Sequence, residues 1–123
     1  MRPKDREILE FGLEAHRATV SWLRGGVSAA AIANQYRKFF SHCGRSDLYL
    51  YGPCHGLGLM EVEPPWVEET SSYDLVENMT FQVDTFLSAS RFGARWENGV
   101  RITADGVEPF SHRAMDVLEI GAS

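Results

Sequence analysis

Residues 79–87 read Met-Thr-Phe-Gln-Val-Asp-Thr-Phe-Leu, and this stretch decides the fold. Met79, Phe81, Val83, Thr85 and Leu87 alternate with Thr80, Gln82, Asp84 and Phe86, the period of two that marks a strand with two different faces. Ser88 to Ser90 is read as a turn. A second strand then starts at Phe92, with Phe92, Ala94 and Trp96 on one face and Arg95 and Glu97 on the other. Gly99 to Thr103 continues it, and Ala104-Asp-Gly106 is expected to be a hairpin turn in which glycine supplies positive φ. The tail after Phe110 is weakly patterned and is expected to fray.

Upstream of this pair the period changes. Between about Lys4 and Leu23, Leu9, Leu13, His16, Val20 and Leu23 recur at helical spacing, and Ile8, Phe11, Ala15, Ala18 and Trp22 widen the same face. Gly25-Gly26 ends that helix. Ser28 is placed to cap a second helix that carries Ala29, Ile32, Tyr36, Phe39 and Phe40 inward and stops at Gly44. Leu48 to Tyr51 alternates and is read as a short strand. The glycine-rich segment Gly52 to Gly58 lets backbones approach closely, and Pro64-Pro65 forbids a regular central strand over Glu61 to Trp66. Val67 to Glu77 reads as an exposed loop. A helical first third is thus followed by a strand-rich remainder.

The 123 residues make one small domain, large enough for a real core without disulfides. With a formal net charge of -5, an anionic partner such as nucleic acid or an acidic membrane surface is disfavoured. No apolar run is long enough for a membrane span, and the basic start lacks the apolar stretch of a signal peptide. Two cysteines, Cys43 and Cys54, are too few for a disulfide framework and fit a reducing cytoplasm.

Among residues that carry chemistry, His55 stands in the glycine-rich segment. It is either a metal ligand, for which neutral imidazole is the commonest protein donor, or a packed histidine near Tyr51 satisfied by a backbone carbonyl. Asp84 interrupts the most apolar strand: with both sheet faces covered it needs a cation, and with one face wet it needs nothing. Glu97 raises the same question, with Arg95 as a salt-bridge partner or both as an ordinary polar sheet face. One imidazole and two carboxylates form a mixed N/O set suited to Mn, Co, Fe or Zn. Cys54 has no partner at CxxC spacing, His16 belongs to the apolar helix stripe, and His42 and His112 have no companions at ligand spacing. No nucleophile elbow, phosphate loop or dinucleotide fingerprint is present.

The order of His55-Gly-Leu-Gly58, Glu63-Pro-Pro65, Glu77-Asn-Met-Thr-Phe-Gln-Val-Asp84, Arg95-Trp-Glu97 and Thr103-Ala-Asp-Gly-Val-Glu108 resembles the C-terminal half of the pita-bread (M24-type) metallopeptidases. That family includes Xaa-Pro aminopeptidase, prolidase, methionine aminopeptidase and creatinase. Arg24-Gly-Gly-Val27 likewise looks like the turn that ends the family's helix. The resemblance implies an α+β fold, the second half of a pita-bread domain with two N-terminal helices packed on a curved, mostly antiparallel sheet. It implies a metal-dependent hydrolase that cleaves a small peptide or amide by metal-activated water. His55, Asp84 and Glu97 would be ligands of the divalent ions (Mn, Co, Fe or Zn), and Asp84 would also be the catalytic proton shuttle.

The departures from the family pattern are specific. Asp84 stands for a longer glutamate, Val62 for a second histidine, Thr85 for a proline and Asn98 for an aspartate. Val62 has nothing with which to stabilise a tetrahedral intermediate. The family takes two aspartate ligands from a strand pair ahead of the first helix, and only seven residues precede Ile8. Residues 1–123 are therefore expected to form a single partial catalytic domain whose upstream half is absent, inactive alone. The exposed sheet would be covered in a homodimer or by the missing half. Two other readings stay open: a creatinase-like or lyase-like enzyme acting on a non-peptide metabolite, and a non-catalytic binding or scaffold module.

Overall fold

The computed structural model of the protein describes residues 1–112 and 115–121. Helix α1 (Pro3–Trp22) is followed by α2 (Ala29–His42), a single 3₁₀ turn (Ser46–Leu48), and strands β1 (Cys54–Gly56), β2 (Glu63–Val67), β3 (Thr80–Ser88), β4 (Gly93–Ile102) and β5 (Val107–Pro109). The strands form one antiparallel sheet in the order β2-β1-β3-β4-β5. This is the α+β arrangement expected, with both helices on one face.

The helix boundaries follow from local chemistry. Pro3 opens α1, where its missing N–H costs nothing. Ser28 caps α2 by accepting from the Ala31 N–H at 3.3 Å. Gly26 and Gly44 adopt φ of 82° and 66° after the two helices. Phe81, Val83, Val100, Ile102, Cys54 and Val67 on the sheet meet Leu23, Ala29, Ile32 and Ala33 from the helices. A second cluster joins Leu87 and Trp96 to Phe11, Leu13, Tyr36 and Phe40. At Gly12 a Cβ would lie 2.7 Å from Leu87 Cδ1 and 2.9 Å from Trp96 Cη2, so the absent side chain is what lets α1 sit this close to β3 and β4.

Pro64 and Pro65 lie on β2, an edge strand, whose pairing with β1 shifts register between His55 and Gly56. Gly52 and Gly56 permit that approach: a Cβ would stand 2.7 Å from the Val67 carbonyl oxygen at the first and 2.5 Å from that of Pro64 at the second.

Three expectations are corrected. Leu48 to Tyr51 is no strand; Ser46–Leu48 is a 3₁₀ turn, and only Tyr49 forms a lone bridge, to Leu87. Leu48 turns into the aromatic cluster of α2, while Leu50 and Tyr51 face outward. The segment 67–77 is not simply exposed, since Val67 and Leu75 are buried and Leu75 exchanges backbone hydrogen bonds with Val27 and Gly26. The Thr103–Gly106 turn forms, but Gly106 does not take positive φ; the Thr103 N–H donates to the Gly106 carbonyl and the Gly106 N–H to Thr103 Oγ1. In the tail, Met115 and Val117 pack on the second cluster and Glu119 pairs with the amino terminus and Arg6; the rest of the fraying expectation lies at 113, 114, 122 and 123, outside the described residues.

Candidate metal centre

The sheet's other face builds the site. In the antiparallel register Asp84 lies opposite Glu97 and Phe86 opposite Arg95, while β1 sets His55 beside Gln82. The period of two therefore sends His55, Asp84, Arg95 and Glu97 away from the helices together. One donor atom each of His55, Asp84 and Glu97 lies within 4.8 Å of the others. They sit beside a pocket of about 360 Å³ lined in part by Tyr51, His55, Val62, Trp66, Asp84 and Arg95.

His55 meets a backbone carbonyl, as one of its two sequence readings has it. Nδ1 is 3.1 Å from the Gly56 carbonyl oxygen, which can only accept, so Nδ1 carries the proton. Nε2 is buried with no hydrogen-bond partner and lies 3.8 Å from Asp84 Oδ2. In the neutral ring it presents an unused lone pair to the carboxylates. The edge of the ring meets Trp66, with centroids 6.2 Å apart.

Asp84 is only 2% exposed although its face carries no helix. Tyr51 and Arg95 cover it. The Tyr51 hydroxyl donates to Oδ2 at 3.0 Å, while Arg95 Nε and Nη2 donate to Oδ1 and Oδ2 at 2.8 and 2.7 Å. The cation that a buried carboxylate requires is thus the guanidinium, in the bidentate geometry that makes such pairs strong. Arg95 also reaches Glu97, Nε to Oε2 at 3.3 Å, so the salt bridge expected with Glu97 is secondary to the one with Asp84. Burial, together with the bond to Asp84, pushes the Tyr51 hydroxyl up to about 12. Hydrogen bonding to Asp84 raises Arg95 above its usual value. Burial likewise pushes the Cys54 thiol up, which leaves it a poor metal donor.

Behind the site, His16 is the core histidine its position in the α1 stripe suggests. Its ring bonds Thr85 Oγ1 at 3.2 Å and Asn98 Oδ1 at 2.6 Å. Thr85 and Asn98 directly follow Asp84 and Glu97, so the imidazole fixes, from the helix side, the two strand positions next to the carboxylates. The Tyr51–Asp84 bond and the His16 contacts went unread in the sequence. They depend on a turn after α2 and on strand register, neither of which has a local motif.

The donor set has the chemistry of a borderline divalent ion. Two donors on one such ion stand roughly 3–4 Å apart, given bonds of about 2.1 Å. The His55–Asp84 spacing and the orphaned Nε2 match that requirement. The His55–Asp84 pair therefore has the spacing of two donors on one ion, with Glu97 within 4.8 Å of both and Arg95 as the competing cation.

A profile of metallopeptidase family M24 matches residues 1–104. The chain belongs to metallopeptidase family M24. Among its relatives, the Xaa-Pro dipeptidase of Lactobacillus delbrueckii subsp. lactis is 27% identical over 115 residues, which are 93% of this chain and 31% of that protein. The prolidase from Pyrococcus furiosus superposes with a TM-score of 0.85 at 26% identity, over 93% of this chain and 34% of its own. Dipeptidase PepE from Mycobacterium ulcerans gives 0.84 at 27%, over 92% and 31%. The α+β unit is thus the pita-bread arrangement found in these M24 structures. The chain spans about a third of the length of the curated relatives it matches. No described helix is long and apolar enough to cross a membrane.

Proposed function

We propose that the chain forms the C-terminal part of a metal-dependent hydrolase of the Xaa-Pro dipeptidase type, acting on small peptides in the cytoplasm. The observation that carries this reading is the convergence of His55, Asp84 and Glu97 beside one pocket in an M24 fold. His55 Nε2 and the carboxylates of Asp84 and Glu97 would hold the ion, of the Mn, Co, Fe or Zn class. When bound, it would activate water and polarise the scissile carbonyl. The Gly56 carbonyl fixes the His55 tautomer, Tyr51 orients Asp84, and Asp84 would take the proton given up by the attacking water and pass it to the leaving amine. Trp66 and Val62 form an apolar wall for the substrate's side chain. In the resemblance, two further aspartates complete the ligand set; they would come from outside residues 1–123, in the same polypeptide or in a different partner subunit, since a second copy would only repeat His55, Asp84 and Glu97.

The test is hydrolysis of Xaa-Pro dipeptides by the protein carrying this chain, after chelation and on re-addition of Mn²⁺ or Co²⁺. Metal-dependent turnover that is lost in His55→Ala and Glu97→Gln supports the proposal. A second reading, a non-catalytic module, draws on the occupation of Asp84 by Arg95 and on Val62 at the pocket wall. Absence of metal-dependent turnover in an otherwise folded protein would favour it.

A further inference from the structure

Asp84 Oδ2 is the oxygen nearest to His55 Nε2, at 3.8 Å, and so the one an ion shared with His55 would use. It already accepts from the Tyr51 hydroxyl and from Arg95 Nη2, which occupies the two lone-pair directions of a carboxylate oxygen. An ion placed there would also meet the guanidinium at close range, like charge against like charge in a pocket partly screened from water. An ion at Oδ2 would therefore compete with Arg95 for this carboxylate. Arg95 is nevertheless free to leave. Its side chain is 44% exposed, it belongs to neither hydrophobic cluster, and it reaches Asp84 diagonally from β4.

We propose that Arg95 is a built-in counter-cation that holds Asp84 in place of the metal, so that the chain takes up a divalent ion only as Arg95 swings out. This rests on the metal-ligand reading of His55, Asp84 and Glu97. The apparent affinity is then the intrinsic one multiplied by the fraction of molecules in which Arg95 has released Asp84. The same pairing neutralises a carboxylate that would otherwise be buried without a countercharge.

The experiment is calorimetric titration of the full chain with Co²⁺. Arg95→Met is expected to bind about tenfold or more tightly than the wild-type chain, with Arg95→Lys in between and the gain abolished by adding His55→Ala. Equal or weaker binding by Arg95→Met, with binding still dependent on His55, overturns the inference and leaves the metal site standing. Absence of His55-dependent binding in every variant overturns both. Should Arg95→Met fail to fold, Zn²⁺ titration of the ¹⁵N-labelled wild-type chain reads the side chain itself. The Arg95 Nε–H resonance is expected to shift in step with saturation, and an unchanged resonance at full saturation refutes the exchange.

Discussion

On β3, Phe81, Val83, Thr85 and Leu87 face the helices and are shut off from water, whereas Gln82, Asp84 and Phe86 face the side that no helix covers. Asp84 is nonetheless as deeply buried as its apolar neighbours. The two faces reach that burial by different physics. The helix side excludes water by fitting apolar shapes together, and its energy scales with the area hidden. The open side excludes it by laying Tyr51 and Arg95 over one carboxylate, so its energy depends on a few directed bonds and on charge balance. The first face is altered chiefly through volume, apart from the His16 contacts to Thr85 and Asn98. The second is altered through charge and directed bonds, which lie apart from the two apolar clusters.

The helix side should respond more strongly to a single methyl group. Gly12→Ala places a Cβ against Leu87 and Trp96, and the overlap should cost more than the roughly 1 kcal/mol that alanine returns in helix propensity. A net loss of about 1–2 kcal/mol is expected, and with it a fall in Tm of roughly 4–10 °C. The metal affinity should not change. A Tm equal to or above that of the wild-type chain would show that the helix face is looser than described.

The smallest effect concerns His16, where the two faces meet through Thr85 and Asn98. Burial lowers its pKa below 6.5, so the folded chain binds its proton less readily than the unfolded chain does. Well above 6.5 the ring is neutral in both states and contributes no pH dependence. As the pH falls below that value, the unfolded chain gains a proton first and stability is lost until the folded pKa is reached. Melting curves between pH 7.5 and 5.5 should therefore slope less steeply in His16→Gln than in the wild-type chain. Equal slopes would mean that His16 is not the group responsible.

The apolar face and its strands were legible because the alternation over 79–87 and the helical spacing of Leu9, Leu13, His16 and Val20 are local signals. The meeting of His55, Asp84 and Glu97 was legible only through the order of motifs, since no spacing law links residues on three strands. Arg95 stands two places from Glu97 in sequence, yet its main bonds go across the sheet to Asp84, a choice made by register and by the greater need of the more buried carboxylate. Tyr51 was hidden by its own alternation with Leu48 and Leu50, which imitates a strand. The segment 67–77 looked exposed because what ties it down is backbone bonding to the Gly26–Val27 turn, which leaves no mark on side-chain pattern.

The central claim is that an imidazole and two carboxylates from three strands can share one divalent ion. Crystals of the full chain soaked in Mn²⁺, with anomalous data collected above the manganese edge, test it most directly. A single peak is expected roughly 2.0–2.3 Å from His55 Nε2 and from carboxylate oxygens of Asp84 and Glu97, with Arg95 turned away from Asp84. A fully soaked crystal with no peak there and Arg95 still clasping Asp84 would contradict it.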